Sequence, residues 1–317
     1  MYELTEIVRT CNSIGRNRNL VHGPGGNISL KLDDRRMLVK ASGLRLDEIT
    51  ENRGIVDVDY RKITCFVDFD TSLTANVLEG MLYRLIYDSE LCQSELRPSM
   101  ETSFHALLGR AVIHTHPIMT NLATCMVGGY DILKQIFGDF PFQWIEYKNP
   151  GFFLGKAINR ELTSDDKNGV FFLEKHGLIV ASDSLDDCLQ KTLDINRRIA
   201  DYFGLEEYNS QSNLMEVDGG YVNDCDLVKE FLSRYKSFDK YLFPDAVVYC
   251  KNPINRHGSG VFYDFDKKRS RLVDEIMLAH MYLLLTIPEL GGRINHLSNE
   301  DISYILGMEA ERYRQSI

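Results

Sequence analysis

Apolar residues recur at helical spacing in Leu4, Ile7, Val8 and Cys11, so the chain begins with a helix that should close near Asn17 to Asn19. The glycine-rich loop Gly23-Pro24-Gly25-Gly26-Asn27 leads into an apolar run from Ile28 to Leu32. A polar turn at Asp33 to Arg36 then returns the chain through Met37 to Ala41, which predicts a hairpin. Ile55 to Tyr60 and Lys62 to Val67 read as further strands, and Val77 to Tyr87 as a helix through Leu78, Met81, Leu82 and Leu85. Phe104, Leu107 and Leu108 continue a helix that starts near Ser99 and stops at Gly109. The short β-rich run Ala111 to His116 is ended by Pro117. Ile118 to Val127 should be helical up to Gly128-Gly129, followed by a strand from Phe142 to Tyr147, a short helix from Phe153 to Asn159 and a strand from Gly169 to Glu174.

His176-Gly177 then turns the chain into a second apolar strand, and Ser184 caps a helix that runs to about Phe203. The polar stretch Glu206 to Asn213 breaks this periodicity, so the chain is expected to divide into residues 1–205 and a C-terminal extension, 214–317. In the extension, Leu227 to Tyr235 reads as a helix, and Ala246 to Cys250 and Gly260 to Phe265 as strands. Leu272 to Leu285 follows as an apolar helix ended by Pro288 and Gly291-Gly292, and Asp301 to Arg314 as a last helix with a Ser298/Asp301 capping box. No internal repeat or low-complexity segment is present.

Composition narrows the partners. A formal net charge of −10 over 317 residues, without a Lys/Arg run, argues against nucleic acid and anionic membrane surfaces. Seven scattered cysteines with no Cys-x-x-Cys pair suit a reducing compartment and argue against a disulfide frame or a cysteine-based zinc site. The N-terminus lacks a signal pattern, and the apolar run Ile276 to Ile287 is short and interrupted by His280, so a soluble cytoplasmic protein is expected.

Candidate chemistry gathers between Arg97 and Pro117. Side chains at i and i+2 of a strand share a side, so His114 and His116 present their rings to a common point, suited to a borderline cation such as Zn²⁺. A bare His-x-His is more often a pair of structural strand histidines hydrogen-bonded to neighbours. Glu101, placed by the pattern in the first turn of the preceding helix, is a carboxylate whose ionised form the helix dipole favours, with His105 one turn further along the same face. His176 at its glycine turn offers a third imidazole. The glycine loop lacks both Walker and dinucleotide signatures, but its amides, with Asn27, Ser29, Ser42 and Gly43, form a candidate anion cradle.

In order along the chain, Gly26-Asn27-Ile28-Ser29, Ala41-Ser42-Gly43, Pro98-Ser99-Met100-Glu101, His114-Thr115-His116-Pro117 and Lys175-His176-Gly177 resemble the class II aldolase/adducin family. The resemblance implies an α/β fold, a three-layer α/β/α sandwich on a mixed, mostly antiparallel sheet, here with a smaller α+β C-terminal extension. It implies that His114, His116 and His176 hold zinc or another divalent metal, that Glu101 is the catalytic acid/base, and that Asn27, Ser42, Gly43 and Ser99 bind the anionic end of the substrate. The implied activity is a zinc-dependent retro-aldol cleavage of a ketose 1-phosphate or related sugar acid, through a metal-stabilised enediolate, in a homotetramer or other homo-oligomer. An epimerase, dehydratase or decarboxylase on the same metal, and a non-catalytic adducin-like module, are the alternatives. Met100 departs from the pair of serines usual before the glutamate and cannot donate to a phosphate. No tyrosine carries a motif that marks it as a proton donor; Tyr130 and Tyr147 are the candidates. Phe243 to Val248 is similar to the region following the aldolase domain in longer rhamnulose-phosphate-aldolase-like members.

Overall fold

The structure, a computed structural model, describes residues 2–92, 96–162, 167–208, 212–238, 240–250 and 254–308. The N-terminal part contains strands β1 (Asn27–Lys31), β2 (Arg36–Lys40), β3 (Ile55–Asp59), β4 (Ala111–Thr115), β5 (Gln143–Ile145), β6 (Gly169–Leu173) and β7 (Gly177–Ser182). Among the described residues they form a seven-stranded sheet in the order β3-β2-β1-β4-β7-β6-β5. Every neighbouring pair is antiparallel except β5 with β6. This is the mixed, mostly antiparallel sheet that the motifs implied.

The helices of this part are α1 (Tyr2–Gly15), α2 (Tyr60–Thr64), α3 (Ala75–Asp88), α4 (Thr102–Leu107), α5 (Ile118–Thr124), α6 (Gly129–Phe137), α7 (Phe152–Glu161) and α8 (Leu185–Phe203). Strand side chains alternate between two cores. Ile28, Leu30, Ala111, Ile113, Leu178 and Val180 pack with α1, α5, α6 and α8 on one face. Met37, Val39, Val112, Ile179 and Ala181 pack with α2, α3, α4 and α7 on the other. The sheet is therefore the middle of three layers.

Residues after 208 add α9 (Asp226–Arg234), α10 (Pro244–Tyr249), α11 (Lys267–Glu289), α12 (Asn299–Gly307) and a small antiparallel sheet, β10 (Arg256–His257), β11 (Gly260–Tyr263), β9 (Gly220–Asn223) and β8 (Met215–Val217), in that spatial order. Phe231, Phe243, Ile276, Leu283 and Ile305 share one core with Ile7, Ile118 and Ile199, so this segment packs directly on the α1/α5/α8 face.

Several elements differ from the sequence pattern, among them the short strands β8, β9 and β10, which it did not show. Ala246 to Cys250, expected as a strand, lies in and just past α10, with every residue from Pro244 to Cys250 buried. An unbroken apolar run carries no period, and Pro244 at the first helical position presets the helical φ. Lys62 to Val67, also expected as a strand, completes α2 and a 3₁₀ turn at Cys65–Asp68, in which Ile63 and Phe66 supply the buried positions. The helix expected to run from Ile118 to Gly128-Gly129 already ends at Thr124, and the two glycines start α6, which the pattern did not show: Gly128 turns at φ +82° and Gly129 is the first residue of the new helix. The last helix begins at its capping box and is described to Gly307; the expected continuation to Arg314 lies outside the described residues from 309 onward.

Candidate active site

β4 and the turn before α4 build the site. Ala111 and Ile113 enter the α5/α8 core, which turns Val112 and His114 toward α4, where the His114 ring meets Phe104 edge-on. β4 stops at Thr115, and His116 lies just past its end, held by its backbone N–H on Leu20 O. The two rings converge as their spacing predicted, with Nε2 atoms 3.1 Å apart. His176 arrives from the loop between β6 and β7, where Lys175 takes φ +55°. Gly177 is required beside it, because a Cβ there would stand 2.3 Å from Thr115 O.

Glu101 sits one residue before α4 rather than within its first turn. Its Oε1 lies 3.4 Å from His114 Nε2 and 3.7 Å from His176 Nε2. His105 leaves the cluster: its Nδ1 is 2.7 Å from Ser29 Oγ, and burial pushes its pKa down to about 3. One donor atom from each of Glu101, His114, His116 and His176 lies within 4.8 Å of the others.

The tautomers follow from the partners. His114 Nδ1 is 2.9 Å from Leu178 O, which only accepts, so Nδ1 carries the proton. His116 Nδ1 is 3.0 Å from a carboxylate oxygen of Asp245 and is likewise the donor. Both Nε2 atoms therefore face inward, toward the cluster. Burial drives the His176 pKa down to about 4, so its ring is neutral at neutral pH. Burial works to raise the Glu101 carboxyl, and positive charge held at the facing His114 and His176 nitrogens draws it well below the ordinary carboxylate range. Three imidazoles and one carboxylate, each offering a donor atom within 4.8 Å of the others, fit a divalent cation.

A cavity of about 30 Å³ adjoins the cluster, lined among others by Ser42, Gly43, Ser99, Met100, Glu101, His116 and His176. Three of the sequence-derived residues do not line it, and one of them, Ser29, is instead bonded to His105. His114 is wholly buried behind it, and Asn27, buried in register with His114, has neither side-chain amide atom hydrogen-bonded among the described residues. Two charged lining residues were missed. Lys40 is a buried lysine whose ammonium donates to Pro24 O and Gly26 O and so fastens the glycine loop. Asp245 comes from the C-terminal segment, in a run whose apolar character hid the carboxylate's position.

The family described as "Class II Aldolase and Adducin N-terminal domain" matches residues 5–201. The chain belongs to the class II aldolase and adducin family. It is similar to the uncharacterized oxidoreductase YuxG of Bacillus subtilis (strain 168), 30% identical over an alignment of 237 residues that covers 68% of this chain and 31% of YuxG. The match thus spans about a third of that relative's length. Among solved structures, it is similar to the N-terminal class II aldolase domain of a conserved protein from Thermoplasma acidophilum, with 25% identity, a TM-score of 0.55, and coverage of 63% of this chain and 93% of that one. Class II aldolases use divalent metals on small sugar substrates, and the His/Glu cluster is where this member can hold such an ion. Among the described residues, no helix is long and apolar enough to cross a membrane.

Proposed function

We propose that the protein is a zinc-dependent carbon–carbon lyase of the aldolase type that cleaves a ketose 1-phosphate or a related sugar acid. The observation that carries this reading is the convergence of three imidazoles and Glu101 with two Nδ1–H groups committed outward. His114, His116 and His176 would hold the ion, with Glu101 as the fourth donor or as a base beside it. A bound divalent ion supplies a Lewis acid that polarises a carbonyl oxygen and stabilises negative charge developing beside it.

The chain's own residues do the rest. Glu101, ionised at neutral pH and with 14% of its side chain exposed against 0%, 8% and 4% for His114, His116 and His176, has room to reach a substrate and move a proton at the carbon next to the carbonyl. Ser42, Gly43 and Ser99 line the cavity as the grip for the anionic end, with Asn27 behind them. Homotetrameric assembly, a cytoplasmic location and the division into 1–205 and 214–317 belong to the same proposal.

The test is metal analysis of protein purified without chelators, together with a screen of ketose phosphates and sugar acids for aldehyde release. About one zinc per chain is expected, with aldehyde release that chelation abolishes and zinc restores. Bound metal without aldehyde from any substrate would replace the lyase by an epimerase, dehydratase or decarboxylase. Protein that never holds metal would be an adducin-like binding module.

A further inference from the structure

The family match ends at residue 201, yet one side chain from beyond it touches the histidine cluster. Asp245, the second residue of α10, is 3% exposed, and its Oδ2 lies 3.0 Å from His116 Nδ1. Its placement is rigid. Pro244 presets the start of α10, and every residue of that helix is buried. The glycine loop is fitted to the same contact: a Cβ on Gly25 would stand 2.8 Å from His116 Nδ1 and 2.9 Å from Asp245 Oδ2, so the loop backbone lies against the pair.

We propose that Asp245 is the positioning residue of the metal centre, and that the C-terminal segment thereby completes a site whose ligands all come from the N-terminal part. This rests on the metal reading above. His114 has its outer nitrogen fixed by a backbone carbonyl, Leu178 O, and a carboxylate does the same for His116. Accepting the Nδ1–H proton fixes the tautomer, sets the ring's orientation and makes Nε2 a better electron donor. Among the described residues, His176 Nδ1 has no such partner, so two of the three rings are held from behind.

The experiment is competition for zinc between the full-length, zinc-loaded protein and a chromophoric chelator, for the parent, Asp245→Ala and Asp245→Asn, with the visible spectrum of the cobalt-substituted forms recorded alongside. Asp245→Ala is expected to weaken zinc binding about 10–100-fold and to alter the cobalt bands. Asp245→Asn, near-isosteric and still an acceptor but uncharged, is expected to fall between the two, which a purely structural role would not produce. Asp245→Ala and Asp245→Asn both holding zinc as tightly as the parent, with unchanged cobalt spectra, would overturn the role of Asp245 and leave the metal centre standing. A parent that binds neither zinc nor cobalt would overturn the metal reading and this inference with it.

Discussion

A serine hydroxyl at position 100 would donate to an anion in the cavity; the methionine that stands there lines the same wall and cannot. Met100→Ser is therefore expected to lower the inhibition constant of inorganic phosphate about tenfold, since a hydrogen bond to a charged group contributes about 1.5–3 kcal/mol. Unchanged inhibition would place the anionic end away from this wall. Glu101 is tested by Glu101→Gln, which keeps an acceptor but no base. Turnover should fall about 10²–10⁴-fold with the urea midpoint unchanged, and a variant of normal turnover would remove Glu101 from the chemistry. At this scale the sequence was informative wherever a site residue sits in local geometry. The i, i+2 rule brought His114 and His116 together, and a glycine turn between two apolar strands positioned His176. Asp245 and Lys40 were not legible. Asp245 finds His116 across 129 positions of chain, and Lys40 occupies the end of an ordinary hairpin strand, where nothing local shows that its ammonium turns inward to the glycine loop.

Among the elements, α11 reaches back to the glycine loop through Glu275. This buried carboxylate lies 2.6 Å from Arg45 Nη1 and 3.3 Å from Arg18 Nε, and accepts from Gly23 N–H at 3.2 Å. Glu275→Ala would leave two largely buried guanidiniums short of a partner. The expected loss is about 3 kcal/mol, the low end for breaking a buried pair, because Asp47 still engages both arginines. Urea unfolding measures it, and an unchanged midpoint would show that the network relaxes freely. Glu275 lies in a helix that is recognisable by the length of its apolar run, Leu272 to Leu285, whereas α10 is too short for length to decide. Where one face of an element meets water, as in α8, the alternation of polar and apolar positions reports the period. Where every side is buried, as from Pro244 to Cys250, the apolar run has no period and β-branched Val247-Val248 point to the wrong element. Position 129 misled differently: a glycine there reads as a stop but is required by contact, since a Cβ would stand 2.2 Å from Ala123 O.

Over the whole molecule, the five ordered motifs make the three-layer domain recognisable, while the last hundred residues carry no motif and are understood only from what they touch. One such contact ties the C-terminal helix to the opposite layer. Glu79 of α3 accepts from Phe152 N–H at the start of α7 and from the Tyr304 hydroxyl of α12, 2.9 Å away. Burial pushes the Glu79 carboxyl up from 4.5 to about 7, against the lowering effect of those two donors. A raised carboxyl pKa means that the folded protein binds this proton more tightly than the unfolded chain does. The resulting stabilisation is complete below about pH 4.5 and disappears as the pH rises through about 7. Glu79→Gln keeps an acceptor for Phe152 and Tyr304 but has no charge to bury. Its melting temperature should match the parent's near pH 4.5 and exceed it at pH 8, with the difference opening between those values. Comparing variant with parent at each pH cancels the other titrating groups. A difference that does not change with pH would mean that Glu79 ionises in the folded protein as it does in water, and that the α3–α7–α12 contact is solvated rather than closed.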